Sequence, residues 1–576
     1  MAGRFFPDLI ARMLLISGLF VALSVNAAPS YVESPPLTQV VKAQVGTLRP
    51  GAVQVPVITW GGDIATIYAN GNSEATNSGS IFANNGLELK LVREDLFSRQ
   101  VSAYLEGKSP YLRGTMGMIN MAAELLSKDP RTKPVVIYQM TWSAGGDALV
   151  VKQSIHSAKD LKGKTVALQA YGPHVDYLTK ILKDAGLSAS DVKIRWLPDL
   201  TGTDNTPMAA FYENDIDAAF VIIPDALALT SNGSVGTGAE DSVRGARILL
   251  STKTANRIIA DVYAVRSDYL NSNRAQVQAF VHSLLLAQER LKSLVVNKGA
   301  ESSAYRDMIR AAAGILLDSQ EAVADAEGLY ADAEYVGFGG NKEFFANPKY
   351  PRNLERLTTE IQTAFRDIGL MDGQLPVVQA NWDYTALQGG LKGGAIVADQ
   401  RFDTEQVASV VAKRQQQGTL GTGELFSFQI FFKPNQNSFE ADLYRDSFEK
   451  VIDLASTYGG AIITVEGHSD PMGFLRKKKE GSPEVVLGRI KQSAKNLSLS
   501  RAVAVRDSVI QHAGSSGINL DPSQFAVVGH GIAKPASGIC GTDPCAPKSE
   551  REWRDNMRVE FRVIQVEAED SVFRPL

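Results

Sequence analysis

TWSAGGD, residues Thr141–Asp147, lies between two apolar runs, Pro134–Met140 and Ala148–Lys152. Apolar runs of this length are typical of buried strands. From about residue 53 onward such strands alternate with helical stretches, which predicts a parallel sheet covered by helices on both faces. The chain around this stretch is therefore predicted to form an α/β domain.

The same pattern extends on both sides of this stretch. Further strands are predicted at Val55–Trp60, Lys164–Gln169, Ala218–Ile223 and Arg247–Leu250. One helix face is predicted by the spacing of Val175, Leu178, Ile181, Leu182 and Ala185. Beyond Val262–Val265 the pattern changes to longer helices, predicted at Ala275–Leu294 and Gln320–Tyr330.

Four short motifs in the region from about residue 50 to 330 resemble those of a known family. They are WGGD at Trp60–Asp63, SAGGDALVV at Ser143–Val151, DLKGK at Asp160–Lys164 and NDIDAA at Asn214–Ala219. The region resembles the type-2 periplasmic solute-binding proteins of the sulfonate, nitrate and thiamine-precursor group. The resemblance implies two α/β lobes that close around a small solute. It also implies two crossover strands, which we expect near Ala148–Val151 and Asp261–Val265.

The candidate solute contacts lie where strands end and helices begin, since ligands of open α/β sheets bind there and helix N-termini attract anions. Pro173 suits the first position of a helix, and Gly172 before it lets the backbone approach a ligand closely. The predicted solute-binding residues are Trp60, Gly62, Asp63, Ser143, Gly146, Tyr171, Gly172 and Asp225. An acid such as Asp63 at the pocket mouth would favour an amine-bearing or zwitterionic solute.

Each of these contacts has a structural alternative. Gly61 and Gly62 are equally compatible with a tight turn, after which Asp63 caps a helix. Asp147 could brace the connection between the lobes, and Trp60 could be a core residue. The residues of the site, and not the fold, determine function, so a pocket that no longer binds a solute is also compatible with the resemblance.

Catalysis is not expected from this sequence, and neither is a cofactor. A thiamine-pyrimidine synthase branch that shares the fold would need a cysteine-rich motif, whereas residues 1–539 contain no cysteine. None of the six histidines stands in a recognisable triad or metal motif. The net charge of −4 argues against a general nucleic-acid or membrane-surface binder.

A second domain is predicted after a glycine-rich linker. The solute-binding domain spans residues 50–385, the linker 386–424 and the second domain 425–568. A short helix is predicted inside the linker at Thr404–Arg414. The second domain contains GHSD at Gly467–Asp470, LSLSRA at Leu497–Ala502 and NMRVE at Asn556–Glu560. These motifs resemble the OmpA-like peptidoglycan-binding domain, a smaller α+β fold.

The OmpA-like resemblance implies a site for diaminopimelate in peptidoglycan. The free end of this residue carries an ammonium and a carboxylate, which need one acid and one base a few ångströms apart. The matching positions are Asp470, after a strand, and Arg501, at the start of a helix. An internal salt bridge between the two is the alternative. Asn556 and Arg558 are expected to support the fold, and His468 to be a structural hydrogen-bonding residue and not a metal ligand.

The second domain departs from the family pattern in two places. The segment between Asp470 and Arg501 is about twice the usual length. Its basic part, residues 472–496, is expected to be a solvated loop, and the alternative is a weak, salt-sensitive contact with anionic wall or lipid groups. The position that normally holds Asn three residues before the LS pair is Ala494. The two cysteines, Cys540 and Cys545, are close in sequence, and in an exported protein they predict a local disulfide.

Residues 1–27 have the basic start, apolar core and small-residue end of a secretory signal peptide. The chain is therefore predicted to be periplasmic and associated with the cell wall or outer membrane. The predicted function is capture of a small solute, with an ABC permease as a possible partner and a non-covalent tether to peptidoglycan. The alternative is a wall-anchoring structural or sensory protein whose solute pocket is degenerate.

Overall fold

The structure is a computed structural model. It describes residues 28–564 except 50, 52, 240, 393–401, 403, 418–423, 435, 437, 438 and 440. The predicted signal peptide and parts of the predicted linker lie outside the described residues. Among the described helices, none is long and apolar enough to span a bilayer.

The first lobe is built on a five-stranded sheet and a separate two-stranded sheet. Its strands are β1 (Val53–Val57), β2 (Leu89–Arg93), β3 (Tyr111–Thr115), β4 (Pro134–Ser143), β10 (Ala260–Arg266), β11 (Ala333–Tyr335) and β12 (Val378–Gln379). The large sheet has the order β11-β4-β10-β3, with β12 pairing to β4, and β1 pairs in parallel with β2. Its first helices are α1 (Leu37–Val40), α2 (Asp63–Ala69), α3 (Ile81–Asn84), α4 (Phe97–Leu105) and α5 (Met116–Leu126).

The second lobe contains another five-stranded sheet, of order β7-β6-β8-β5-β9. Its strands are β5 (Asp147–Val151), β6 (Thr165–Gln169), β7 (Lys193–Leu197), β8 (Ala218–Ile222) and β9 (Arg247–Ser251). Its helices are α6 (His174–Asp184), α7 (Pro207–Phe211) and α8 (Ile223–Leu229). The expectation of a purely parallel sheet is wrong, because β5 runs antiparallel to both β8 and β9, and β10 runs antiparallel to both β3 and β4.

The chain crosses between the lobes twice, slightly earlier in sequence than predicted. Ala148–Val151 and Asp261–Val265 are inner strand segments, each hydrogen-bonded within a single sheet. The crossings are the short segments just before them, residues 144–146 and 252–259. They contact each other, since the Ser143 amide donates to the Ile259 carbonyl at 3.0 Å and the Thr252 amide to the Asp147 carbonyl at 2.8 Å.

The chain after β10 is mainly helical, as the change in sequence pattern predicts. The helices are α9 (Ser267–Ser272), α10 (Arg274–Val296), α11 (Ser302–Leu317), α12 (Val323–Asp332), α13 (Gly337–Ala346), α14 (Leu354–Asp367) and α15 (Tyr384–Leu387). Helix α14 has a strongly amphipathic sequence, with Leu357, Ile361 and Phe365 buried at helical spacing. It packs on α5 of the first lobe and α6 of the second, so it bridges them.

The C-terminal domain is a four-stranded sheet of order β13-β18-β14-β15. Its strands are β13 (Glu424–Phe431), β14 (Ile462–His468), β15 (Phe525–Gly531) and β18 (Arg558–Ile564), with a short hairpin of β16 (Ile539–Cys540) and β17 (Asp543–Pro544). Its helices are α16 (Thr404–Gln417), α17 (Arg445–Thr457), α18 (Met472–Lys479), α19 (Glu484–Ser515) and α20 (Glu550–Asp555). The predicted helix at Thr404–Arg414 is therefore confirmed as α16.

Two expectations for this domain are wrong. The basic segment 472–496 is helical and not a loop, since it forms α18 and the first half of α19. Consequently Arg501 does not open a helix but lies midway along the 32 residues of α19. The lysines, arginines and leucines of the basic segment are good helix formers, and Gly481 and Pro483 fall in the break between the two helices.

The C-terminal domain packs directly on the second lobe and on the second crossing. Lys180 of α6 is 2% exposed and lies 3.1 Å from Asp453 of α17. The Tyr458 hydroxyl donates to Asp184 at 2.8 Å. The Gly460 amide donates to the Thr254 carbonyl at 3.1 Å, and a Cβ at Gly460 would come within 1.8 Å of the Lys253 carbonyl oxygen. This contact therefore requires glycine and fixes the domain against the crossing segment.

Candidate functional site

The predicted solute contacts Trp60 and Gly146 meet where the lobes join. The Trp60 indole lies against Gly146 so closely that a Cβ there would come within 2.5 Å of the ring. The Trp60 Nε1 donates to Thr141 Oγ1 at 3.1 Å, and the indole is half-buried. Trp60 is thus an aromatic wall beside the first crossing, available to a solute through its remaining surface.

Gly61 and Gly62 form a tight entry to α2. A Cβ at Gly61 would come within 1.8 Å of the Leu329 carbonyl oxygen, and a Cβ at Gly62 would come within 3.0 Å of Thr141 Oγ1. Gly62 is the residue that caps α2, and Asp63 is the first residue inside it. Both glycines are therefore required by close packing of the chain around the end of β1.

Asp63 lies in a buried ion pair and not at a pocket mouth. Its carboxylate accepts from Arg113 Nη2 at 2.8 Å and from Arg113 Nε at 3.1 Å, and both side chains are 0% exposed. Arg113 Nη1 donates to Asp261 at 2.7 Å, so one guanidinium joins two acids. Burial raises the pKa of Asp63 to about 7, while the Arg113 charge opposes this shift. Asp63 is therefore not available to an amine-bearing solute, and the expectation that it faces the solute is wrong.

Ser143 belongs to a hydrogen-bonded cluster at the first crossing. Its hydroxyl donates to Asp147 Oδ2 at 2.6 Å and lies 2.8 Å from Thr252 Oγ1 on the second crossing. His174 Nε2 lies 2.7 Å from Asp147 Oδ1, and the Gly145 amide donates to Thr252 Oγ1 at 3.1 Å. Asp147 thus braces the connection between the lobes, the structural alternative that the sequence left open.

Tyr171, Gly172 and Asp225 lie in the second lobe around the start of α6. Tyr171 has a left-handed backbone, with φ of 58°, and its hydroxyl donates to the Pro35 carbonyl at 2.6 Å. Gly172 faces the Gln169 side chain, which a Cβ would meet at 2.3 Å. Asp225 lies in the first turn of α8, and burial raises its pKa to about 6 while His174 opposes the shift. Helix α6 begins at His174, one residue after Pro173.

Two acids that the sequence analysis missed face the junction between the lobes. Asp332, at the end of α12, lies so close to Gly145 that a Cβ added to this glycine would come within 2.6 Å of its carboxylate. Burial raises the pKa of Asp332 to about 6. Asp176, in the first turn of α6, is 3% exposed and has no hydrogen-bond partner on either carboxylate oxygen. Burial raises the pKa of Asp176 to about 8. It contacts Gly117 of α5, where a Cβ would come within 2.8 Å of its carboxyl group.

In the C-terminal domain Arg501 is buried and has no carboxylate partner among the residues that the structure describes. It donates to the carbonyls of Gln436 at 2.7 Å, His468 at 3.1 Å and Lys433 at 3.3 Å. Its guanidinium lies over the Phe432 ring, 5.2 Å from the centroid. Burial lowers its pKa to about 10, because desolvation disfavours the charge. The guanidinium is thus held in place by neutral acceptors.

Asp470 lies at the end of the loop after β14 and is half-buried. Its Oδ1 has no hydrogen-bond partner, and burial raises its pKa. No ion pair joins Asp470 to Arg501, so the internal salt bridge is not present in the structure. Asn556 Oδ1 accepts from the Ser537 amide at 3.2 Å, which is a supporting role for the fold. Cys540 and Cys545 form a disulfide that closes the β16–β17 hairpin.

Comparison with known proteins shows the relatives of the first domain. Residues 77–291 match a family described as NMT1/THI5 like. The taurine-binding periplasmic protein of Escherichia coli K12 is 30% identical over 158 residues, which is 27% of this chain and 44% of that protein. The match therefore spans less than half of that relative.

Solved structures that are similar include the periplasmic aliphatic sulphonate binding protein SsuA of Escherichia coli. It is 16% identical, covers 57% of this chain and 91% of its own, and has a TM-score of 0.39. The alkanesulfonate-binding protein SsuA of Xanthomonas axonopodis pv. citri bound to MOPS is 15% identical, with coverage of 57% and 98% and a TM-score of 0.37. The desulfurization enzyme DSZB is 17% identical, with coverage of 59% and 99% and a TM-score of 0.35. By its family match and curated relative, the first domain is similar to solute-binding proteins.

Proposed function

We propose that this protein is a periplasmic solute-binding protein that is tethered non-covalently to peptidoglycan. The observation that carries the first half is the polar junction between two α/β lobes. There, two chain crossings, the N-terminus of α6 and the aromatic wall of Trp60 converge. This is where a solute closing the lobes would be held, and the matches to the NMT1/THI5-like family and to a taurine-binding protein support it.

We propose a zwitterionic solute of the aminosulfonate kind. The start of α6 offers backbone N–H groups to an anion. Asp225 and Asp332 supply carboxylates for an ammonium group, because both are partly buried and burial raises the pKa of each, an effect that His174 and Lys253 respectively oppose. A simple anion would use only the first of these features, and it would be repelled by the two acids.

A thermal-shift screen tests solute binding. The full chain is tested with taurine, ethanesulfonate, nitrate, phosphate and amino acids. A solute at 100 times its dissociation constant stabilises the protein by about 2.7 kcal/mol. We expect taurine to exceed ethanesulfonate, and Asp332→Asn to reduce that difference. Asp129→Asn, an exposed acid paired to Arg131, is the matched control. No shift with any of these solutes would favour the degenerate pocket instead.

The second half of the proposal rests on Arg501. A guanidinium that is buried among carbonyl groups, and that pairs with no carboxylate in the described part of the chain, can receive the carboxylate of diaminopimelate. Asp470, whose Oδ1 has no partner, would receive the ammonium. An ABC permease is the partner we propose for the loaded first domain.

Co-sedimentation with purified Gram-negative sacculi tests the tether. We expect Asp470→Asn and Arg501→Met to reduce the bound fraction at both low and high salt. Arg506→Met is the matched control, because Arg506 lies on the same helix but is paired with Asp507. Equal binding by all three variants would refute the diaminopimelate assignment, whatever the solute screen shows.

The runner-up is a wall-bound structural or sensory protein that takes up no solute. It is favoured by the direct packing of the C-terminal domain on the second crossing, at Gly460 and Thr254, because a docked domain could restrain closure. The same solute screen separates the two functions.

A further inference from the structure

A row of ionisable side chains crosses one face of the C-terminal sheet. Glu466 and His468 follow each other on this face of β14, Glu560 lies opposite Glu466 on β18, and His530 comes from β15. The four side chains are at most 8% exposed. Helix α16 covers the same face, and its Val407, Val410 and Val411 pack with Ile462 and Val528. The cluster is therefore shut off from bulk water.

One ring nitrogen of His468, Nε2, has no hydrogen-bond partner in this cluster. Its Nδ1 lies 3.0 Å from the Lys534 carbonyl oxygen, which can only accept, so Nδ1 carries the proton. Its Nε2 is buried without a hydrogen-bond partner. With the proton on Nδ1, the lone pair of the neutral ring is on Nε2, which is an acceptor.

The group nearest to this acceptor is another acceptor. Glu560 Oε2 lies 3.6 Å from His468 Nε2. This separation is too long for a hydrogen bond, so the Glu560 oxygen does not satisfy His468 Nε2. Two lone pairs that face each other in a buried site repel, and a cation between them would satisfy both.

The second histidine completes the set. His530 Nε2 lies 2.6 Å from Glu466 Oε2, and its ring stacks on that of His468 with 5.0 Å between centroids. Ligand atoms of Glu466, His468 and His530 all lie within 4.8 Å of one another. Ligands of a tetrahedral zinc ion are about 3.3 Å apart for bonds of about 2.0 Å, so these three groups must close by at most about 1.5 Å. Glu560, which lies 3.6 Å from His468 Nε2 but outside this group of three, must move toward them to become the fourth ligand.

A single guanidinium orients both carboxylates. Arg562 Nε lies 3.1 Å from Glu466 Oε1, and Arg562 Nη2 lies 2.9 Å from Glu560 Oε1. Each carboxylate thus accepts from the arginine through its Oε1, and its Oε2 lies near a histidine. The Lys534 carbonyl does the same for His468, and ligands held by such outer partners are typical of metal sites. Arg558 lies 3.5 Å from Glu560 Oε2 and would have to share that oxygen with the cation.

We propose that Glu466, His468, His530 and Glu560 bind one divalent cation of the zinc class. Two imidazoles and two carboxylates are a donor set that suits Zn²⁺. To bind the cation through Nε2, His530 changes tautomer, so that its proton moves from Nε2 to Nδ1. The Gln415 side-chain nitrogen now lies 3.3 Å from Nδ1, and a flip of this amide would place its oxygen there to accept the new N–H. No other proton need leave. The cation would join β14, β15 and β18 beneath α16, and this reverses the sequence expectation that His468 is no metal ligand.

The site also lies next to the proposed peptidoglycan contacts. The His468 carbonyl accepts from Arg501 at 3.1 Å, and Asp470 is two residues further along the chain. A cation on the His468 ring would therefore fix the backbone that holds Arg501.

Equilibrium titration of the tag-free full chain, freed of metal by a chelator, tests the site. We expect one equivalent of Zn²⁺ to bind and raise the melting temperature, and Co²⁺ to give the intense visible absorption of a tetrahedral complex. His468→Gln and His530→Gln should each weaken binding by more than about 100-fold, which exceeds the loss of an outer partner. His512→Gln is the matched control, because His512 also pairs with a glutamate, Glu449, at 3.0 Å but at the surface.

Two outcomes would overturn the proposal. One is a wild-type chain that binds no Zn²⁺, and the other is Zn²⁺ binding that His468→Gln and His530→Gln leave unchanged. Should either variant fail to fold, the Co²⁺ spectrum of the wild-type chain still decides, since a six-coordinate or absent spectrum contradicts a buried four-ligand site.

Discussion

Arg113 and Arg501 are both buried arginines, at 0% and 1% exposure, but one contacts charged groups and the other contacts neutral groups. In the first lobe Arg113 joins Asp63 and Asp261, so its charge is neutralised within the fold. In the C-terminal domain Arg501 contacts three carbonyl groups and an aromatic ring. Desolvating an arginine costs free energy unless anions compensate it. Arg113 therefore has a structural role, whereas the charge of Arg501 would be stabilised by a bound anion.

The largest expected effect comes from removing the structural arginine. Arg113→Met leaves Asp63 and Asp261 buried without a cation, and breaking a buried pair in this way costs about 3–5 kcal/mol. Urea unfolding measures the loss. The triple variant Arg113→Met, Asp63→Asn, Asp261→Asn should recover part of it, since no charge remains uncompensated. Arg131→Met, in an exposed pair, is the control and should leave the unfolding midpoint unchanged.

Removal of the second arginine should affect binding more than folding. A hydrogen bond to a charged group is worth about 1.5–3 kcal/mol, so Arg501→Met should weaken sacculus binding by about 10–100-fold. Quantitative co-sedimentation at constant salt measures the change. The comparison fails if Arg501→Met destabilises the chain as much as Arg113→Met does and binds sacculi normally.

Asp176 is the counterpart of Arg501 in the first domain, because it too is buried and forms no ion pair among the described residues. The charges that act on it are Arg352, which favours ionisation, and Asp261, which opposes it. Its pKa is raised to about 8 from 3.8, so its stabilising effect is complete below about pH 4 and is lost as the pH rises through 8.

Replacement of Asp176 by asparagine should remove this pH dependence. Asp176→Asn should equal the wild type in free energy of unfolding near pH 4 and exceed it by about 1–3 kcal/mol at pH 8, the cost of an unsatisfied buried group. Asp215→Asn, an exposed acid, is the control. Parallel curves for wild type and Asp176→Asn from pH 4 to 8 would contradict the assignment.

The smallest effect is expected where the two regions meet. Tyr458→Phe removes the hydroxyl that donates to Asp184 across the domain contact and should cost about 0.5–1.5 kcal/mol. Calorimetry should show the unfolding of the two domains becoming less coupled. Tyr444→Phe, whose hydroxyl bonds to Phe431 inside the C-terminal domain, should lower stability without changing the coupling.

Several sequence predictions depended on local signals and agree with the structure. Alternating strands and helices gave the α/β lobes, helical spacing gave α6, and the pair Cys540 and Cys545 lies five residues apart in its disulfide. The basic segment 472–496 is helical although its charge favours a solvated loop, because lysine and arginine are also good helix formers. The crossings were displaced by a few residues, since strand patterns do not reveal which sheet a strand joins.

The sequence by itself determined the two-domain order, the motifs and most element types, because these depend on interactions within a few residues. Only the tertiary structure decided which charges are compensated. Arg113 meets Asp63 and Asp261, which lie 50 and 148 residues from it in sequence, whereas Arg501 forms no ion pair with a carboxylate among the described residues. Sheet register and helix packing bring such distant groups together, and no local pattern records them. That is why Asp63 was predicted to face a solute and why the His468 cluster was not foreseen.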